Sequence, residues 1–204
     1  MVPIRRSRKT WLLVLAGLIA LILVSTLIAL RPYGTPLNWA IRGFALLGYL
    51  AIFLTVIISA YMRHMVRIFG RPFIQLHHIL SVTGLVLVTL HPLGVAWDYG
   101  SLGVFVPLFD SWVVFLRWGG RPAWYLIGVA SLAAVLRKTF RQNWRTVHTL
   151  NYLAFFLATV HAIMLGTDFQ PLIMKALPLA ASLVVVGTFI QKRLQQRRLR
   201  ARRR

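Results

Sequence analysis

Apolar residues run along the chain in long uncharged stretches, and basic residues gather in short clusters between them. The charge-free stretches are Trp11 to Leu30, Gly43 to Met62, Pro72 to Trp97, Pro122 to Leu136, Thr146 to Thr167 and Ala176 to Gln191. About 20 apolar residues in a helix cross a hydrocarbon core. Four stretches reach that length. Pro122 to Leu136 and Ala176 to Gln191 are shorter and cross if the flanking Arg121, Arg137, Lys175 and Lys192 snorkel. The pattern predicts an all-α integral membrane six-helix bundle. The first stretch follows Arg5, Arg6, Arg8 and Lys9 as a signal peptide would, yet its apolar run is too long and no small-residue cleavage site follows. It is expected to remain as a helix.

Composition supports a membrane as the solvent. Of 204 residues, 58% are apolar, more than a soluble domain of this size can hide in one core. Against 24 Lys and Arg stand only 3 Asp and Glu, a formal charge of +21. Such a balance raises nucleic acid as a partner, but a groove-binding domain interleaves its cations with a polar soluble fold. No nucleic acid is expected.

The loops set the orientation. Alternating loops, starting with the N-terminus, hold 19 of the 24 basic residues, eight of them from Lys192 onward. The other five are Arg31, Arg42, Arg117, Arg121 and Lys175, and Asp98, Asp110 and Asp168 fall on that same poorer side. The positive-inside rule then places both termini in the cytoplasm and the protein in the cytoplasmic membrane as a multi-pass chain. Three segments follow: a basic cytoplasmic N-terminus at 1–10, a six-helix membrane domain at 11–191 and a basic cytoplasmic tail at 192–204. Membrane lipid is an expected partner, with the tail held to anionic headgroups. The outer connection Asp98 to Arg121 carries Phe105, Phe109, Trp112, Phe115 and Trp118, which fits an interfacial aromatic belt or a lid over a buried cofactor.

Candidate chemistry rests on histidine. The chain has no cysteine, which removes disulfides, iron–sulfur clusters, thiolate zinc and covalently attached haem. Five of the six histidines fall on two spans: His77, His78 and His91 on the third, His148 and His161 on the fifth. Ionisable side chains inside a membrane are costly and mark function by default. His77 and His91 are 14 residues apart, about 21 Å along a helix and on nearly one face. His148 and His161 are 13 apart, about 19.5 Å. Both spans run from cytoplasm to outside, so the first histidine of each lies at an inner level and the second at an outer level. Two imidazoles from facing helices at one level are the axial ligands of a b-type haem, and two levels imply two haems b.

A single metal ion cannot be shared by ligands so far apart along a helix, and no span holds the acid that ion-coupled transport normally uses. Other residues leave their reading open. Gly84, midway between His77 and His91, fits either the approach of a porphyrin edge or close helix packing. Phe155 fits a place between the haem levels or in the core. Arg71, Arg141 and Arg145 could pair with haem propionates or simply snorkel. A 13-residue separation turns about 220° net in a regular helix, so span five is expected to tilt or bulge between its histidines. His78 also stands 13 before His91; His77 is preferred on the face it shares with His91. His64 is expected at the interface.

The run Trp144-Arg145-x-x-His148-x-x-x-Tyr152, followed by His161 and Gly166-Thr167-Asp168, resembles the fifth helix of the ferric reductase-like transmembrane domain superfamily. His77, His91 and Asp98 resemble its third. The superfamily includes NADPH oxidase cores, metalloreductases and the haem-binding membrane subunit of the periplasmic methionine sulfoxide reductase system. The resemblance covers Arg71 to Asp168. It implies six helices carrying b haems that move electrons from cytoplasm to outside, with His77 and His148 on the inner haem, His91 and His161 on the outer, and Trp144 and Arg145 beside them. Members of the last group need not keep all four histidines, so four resemble the two-haem oxidase and reductase type.

Full oxidases and reductases continue into flavin and nicotinamide domains, whereas no Gly-rich phosphate motif occurs here. Flavin is therefore expected only on a separate partner. The expected function is a di-haem electron-transfer protein, an oxidoreductase subunit without catalytic residues of its own. It would take electrons from a cytoplasmic flavin reductase or quinol and pass them to an extracytoplasmic acceptor: ferric iron, dioxygen or a partner reductase. The alternatives are the membrane subunit of a methionine sulfoxide reductase-type system and, from another class, a haem-free scaffold or a haem sensor or carrier.

Overall fold

The computed structural model describes residues 24–25, 34–69, 73–139, 141 and 143–201. The expected first span and the basic N-terminus lie outside them except for Val24 and Ser25, and Arg71 lies outside them too. Among the described residues every regular element is helical. The order is α1 (Pro36–Phe69), α2 (Ile74–Tyr99), a 3₁₀ turn (Leu102–Phe105), α3 (Trp112–Arg117), α4 (Gly120–Val135), α5 (Trp144–His148), α6 (Leu150–Leu165), a second 3₁₀ turn (Thr167–Phe169) and α7 (Leu172–Ala201).

Among the described residues, four helical segments are long and apolar enough to cross a membrane: α1, α2, the combined α5–α6 stretch Trp144–Leu165, and α7 over Leu172–Leu199. The stretches expected from Gly43, Pro72, Thr146 and Ala176 correspond to them. Helices α1 and α7 extend beyond their charge-free cores because Arg and Lys propagate a helix as well as most apolar residues do. The remaining stretch is α4, 16 residues and about 24 Å long, shorter than a usual span.

Local chemistry sets the ends. Thr35 and Asn38 cap α1 reciprocally, Thr35 N–H donating to Asn38 Oδ1 at 3.1 Å and Asn38 N–H to Thr35 Oγ1 at 3.4 Å, with Pro36 in the first turn. Gly100 closes α2 in the left-handed region at φ 62°, its N–H reaching Ala96 O and Trp97 O. Ser111 Oγ accepts from Val114 N–H at 3.2 Å and starts α3.

Helices α1 and α2 run antiparallel and approach closely at small residues. A Cβ on Gly48 would meet Val88 Cγ1 at 2.9 Å, and one on Gly94 would meet Ile41 Cγ1 at 2.6 Å. This is how membrane helices gain contact where lipid is as apolar as the side chains. Deeper in, Ile52, Val56, Phe155 and Val185 join α1, α6 and α7, while Ala123, Ile127, Ala154 and Leu157 join α4 to α6. Phe155 is fully buried and stacks on Tyr49 with centroids 4.7 Å apart, so it is a core aromatic. Little of α2 is covered. Only Gly84 and Ala96 are buried, and Ile79, Val82, Val86 and Leu93 face outward, which suits lipid and would be a liability in water.

One end of the bundle is tied by polar contacts. Arg42 donates to both oxygens of the buried Asp168, with Nε at 3.1 Å from Oδ2. Asn38 Nδ2 donates to Asp98 Oδ2 at 3.1 Å, joining the start of α1 to the end of α2. Phe105 meets Trp124 at 5.2 Å, Phe109 stacks on Phe115 at 5.6 Å, and Arg121 covers Trp118 at 4.5 Å. Trp97, Phe109 and Trp112 are all more than three-quarters exposed, the arrangement of an aromatic belt at a membrane interface.

Candidate functional site

The four paired histidines share one device. In each, Nδ1 donates to a backbone carbonyl of a neighbouring helix: His77 to Thr55 O at 3.4 Å, His91 to Ile41 O at 3.2 Å, His148 to Ala130 O at 3.0 Å and His161 to Arg117 O at 2.9 Å. A helical carbonyl has a second lone pair to give, and Arg117 O ends α3, where carbonyls lack an intrahelical partner. Donation from Nδ1 fixes the tautomer of a neutral imidazole and leaves the Nε2 lone pair available as a ligand. Among the described residues no hydrogen bond engages Nε2 of any of the four.

The spacings match across each helix pair. Ile41 and Thr55 are 14 residues apart on α1, as His77 and His91 are on α2. Arg117 and Ala130 are 13 apart over α3 and α4, as His148 and His161 are over α5 and α6. In antiparallel partners of equal rise, equal separations hold both ends of each histidine pair at once.

His77 and His148 lie within electrostatic reach of each other, and so do His91 and His161. The inner pair lines a cavity of about 200 Å³ together with Thr55, Ser81, Ser131 and Tyr152. His77 is half-buried and on this lining, whereas His78 is exposed and off it, with the two rings 5.8 Å apart. Next to the outer pair, a Cβ on Gly120 would come 2.8 Å from His161 Cδ2 and 2.9 Å from Nε2. Gly120 therefore leaves the room the imidazole occupies. Arg121 acts electrostatically on that ring.

The expected irregularity of span five falls directly after His148. Helices α5 and α6 are divided at Thr149, whose N–H is shared between Arg145 O at 3.2 Å and Thr146 O at 3.1 Å, and whose Oγ1 donates to Thr146 O at 2.6 Å. Tyr152 N–H bonds back to Thr149 O at 3.1 Å. Each i→i+3 step turns about 120° instead of about 100°, so the break carries His161 toward the face of His148.

Other expected residues are placed as follows. Trp144 lies beside His148 with centroids 6.2 Å apart, and Arg145 covers the Trp144 ring at 5.4 Å. Gly84 is buried against α1, where a Cβ would meet Ile52 Cδ1 at 2.9 Å and Ala51 Cβ at 3.3 Å, so close helix packing uses its missing side chain. The four carbonyls and Gly120 are contributions the sequence reading did not single out. Among the described residues no three His, Cys, Asp or Glu side chains cluster around a point as a small metal-ion site would require.

Two neutral imidazoles with free Nε2 atoms can supply both axial positions of a haem iron. A structural histidine would gain more by bonding through both nitrogens. Compared with known protein families, curated proteins and solved structures, the chain matches none.

Proposed function

We propose that the chain is a di-haem b-type electron-transfer protein of the membrane, an oxidoreductase subunit that moves electrons from a cytoplasmic donor to an extracytoplasmic acceptor. The observation that carries this reading is the set of four Nδ1-to-carbonyl bonds, matched in spacing across two helix pairs and leaving every Nε2 uncommitted. His77 and His148 would hold the inner haem, and His91 and His161 the outer. The donor set fits: neutral imidazoles anchored on the far nitrogen are how proteins orient haem and metal ligands.

Bound haem supplies reversible one-electron chemistry, and the chain supplies everything else. The carbonyls of Thr55, Ile41, Ala130 and Arg117 hold the rings in tautomer and direction. Apolar walls from α1, α2 and α6 keep water away. A porphyrin is larger than the inner cavity, so Ile52 and Ile127 on its lining would have to turn aside to admit one. Trp144, covered by Arg145, flanks His148, and the Arg145 guanidinium would be available to pair with a haem propionate. His77 with His148 and His91 with His161 would leave no open position on a bound haem iron, which would make transfer to the acceptor outer-sphere.

The reading completes six spans by adding the Trp11 to Leu30 stretch and a short crossing by α4, with both termini cytoplasmic in the cell membrane. A flavin reductase or quinol serves as donor; ferric iron, dioxygen or a partner reductase serves as acceptor.

Proteoliposomes holding haem-loaded protein and trapped ferricyanide test this directly. External dithionite, which does not cross lipid, is expected to bleach the trapped ferricyanide with wild-type protein. Bleaching at the rate of empty liposomes, with both haems present, contradicts the reading.

A further inference from the structure

The inner end of α1 holds a second cavity, of about 460 Å³, that takes no part in the histidine pairs. The helix bends at Tyr61, whose backbone at φ −112° and ψ 20° leaves the helical region. Beyond the bend come Arg63, His64 and Arg67, and Lys192 of α7 lines the same space. Tyr61 ties the two helices at this level: its hydroxyl donates to Gln191 Oε1 at 2.6 Å, and the Lys192 ammonium sits 4.8 Å from its ring centroid.

No side-chain carboxylate offsets this charge. The chain has three acidic side chains, Asp98, Asp110 and Asp168. Asp98 and Asp168 bond Asn38 and Arg42 at the opposite end of α1, and Asp110 lies just before α3. Among the described residues no ion pair involves Arg63, Arg67 or Lys192. Depth adds to the argument. With 34 residues α1 is about 51 Å long, well beyond a hydrocarbon core of about 30 Å, so its last turns reach the headgroups. Cations that surround a concavity at that depth, with no carboxylate partner among the described residues, call for an external anion. The planar guanidinium fork matches phosphate oxygens, and basic pockets between membrane helices are where phosphate headgroups settle.

We propose that this cavity binds a phosphate-bearing anion, with Arg63 and Arg67 as fork donors, Lys192 as a point charge and His64 as a further N–H donor. The same chemistry is presented by the headgroup of an anionic phospholipid and by a soluble phosphate. The site is independent of the histidine pairs and stands or falls separately from them.

The full chain in phosphatidylcholine nanodiscs carrying some phosphatidylglycerol tests it, with retained lipid read by native mass spectrometry. A parallel titration of pure phosphatidylcholine discs with inorganic phosphate is read by calorimetry. Selective retention of phosphatidylglycerol is expected to weaken about fivefold for each guanidinium removed in Arg63→Gln with Arg67→Gln. Arg63→Lys with Arg67→Lys should recover part of the loss, and Arg197→Gln with Arg198→Gln, which removes equal charge from the tail, should leave retention unchanged. Retention resistant to phosphate identifies a lipid; phosphate binding in lipid-neutral discs that the Arg63 and Arg67 pair abolishes identifies a soluble source. Absence of both, or equal loss in the tail variant, overturns the proposal.

Discussion

Each paired histidine is held from its Nδ1 side, and that is where its specificity resides. The acceptor is a main-chain oxygen, so any residue type can stand at Ile41, Thr55, Arg117 or Ala130. This explains why the sequence showed the histidines and their spacing but not their anchors: a carbonyl carries no side-chain signature. Gly120 was open to notice, since a Gly-Gly step between α3 and α4 is unusual beside a span, but only the fold brings it against His161. Replacing Gly120 by Ala sets a Cβ against the imidazole edge and is expected to shift the spectrum or midpoint potential of one haem; Gly128→Ala on the same helix meets nothing within 4 Å and should leave both unchanged. A redox titration monitored optically separates the two variants. Equal behaviour would mean that His161 has no haem to report. His148→Ala is expected to remove the inner haem alone, lowering haem from about two per chain to about one in a pyridine haemochrome assay. Unchanged haem content would contradict the pairing of His77 with His148.

At the scale of elements, registry between helices does the positioning. Separations of 14 on both α1 and α2, and of 13 on both the α3–α4 and α5–α6 sides, mean that one inserted residue breaks one level and spares the other. An alanine inserted after Gly84 rotates the outer half of α2 by about 100° and moves His91 away from Ile41 O, while His77 keeps Thr55 O. The expected result is loss of the outer haem with the inner one retained, read as half the haem per chain and a single remaining potential. Retention of both would show that α2 registry does not set the ligand. Hydropathy gave the existence and approximate limits of α1, α2 and α7 well, because an uncharged run of this length has few other uses. The 13-residue spacing of His148 and His161 called for an irregularity in span five. It could not say where, since the interruption at Thr149 depends on which carbonyls Thr149 N–H and Oγ1 reach once the chain is folded. Gly84 illustrates the same limit from the other side: a midpoint glycine was compatible with porphyrin or helix, and the fold shows Ile52 and Ala51 packed against it.

For the molecule as a whole, charge and histidine are segregated along one axis. The Arg42 and Asp168 pair, the Asn38 contact with Asp98 and the exposed aromatics gather at one end, while Arg63, Arg67, Arg145 and Lys192 gather at the other. Between the ends, two pairs of histidines occupy two levels of a lipid-facing helical bundle, with the Tyr49 and Phe155 stack in its core. The most direct measurement is the reduced-minus-oxidised optical spectrum of the detergent-purified full chain, expressed with adequate haem supply and paired with a haem-per-chain determination. A b-type spectrum with about two haems per chain is the expected result. Protein that folds, remains monodisperse and carries no haem under those conditions would contradict the conduit and leave the four histidines as interhelical hydrogen bonds.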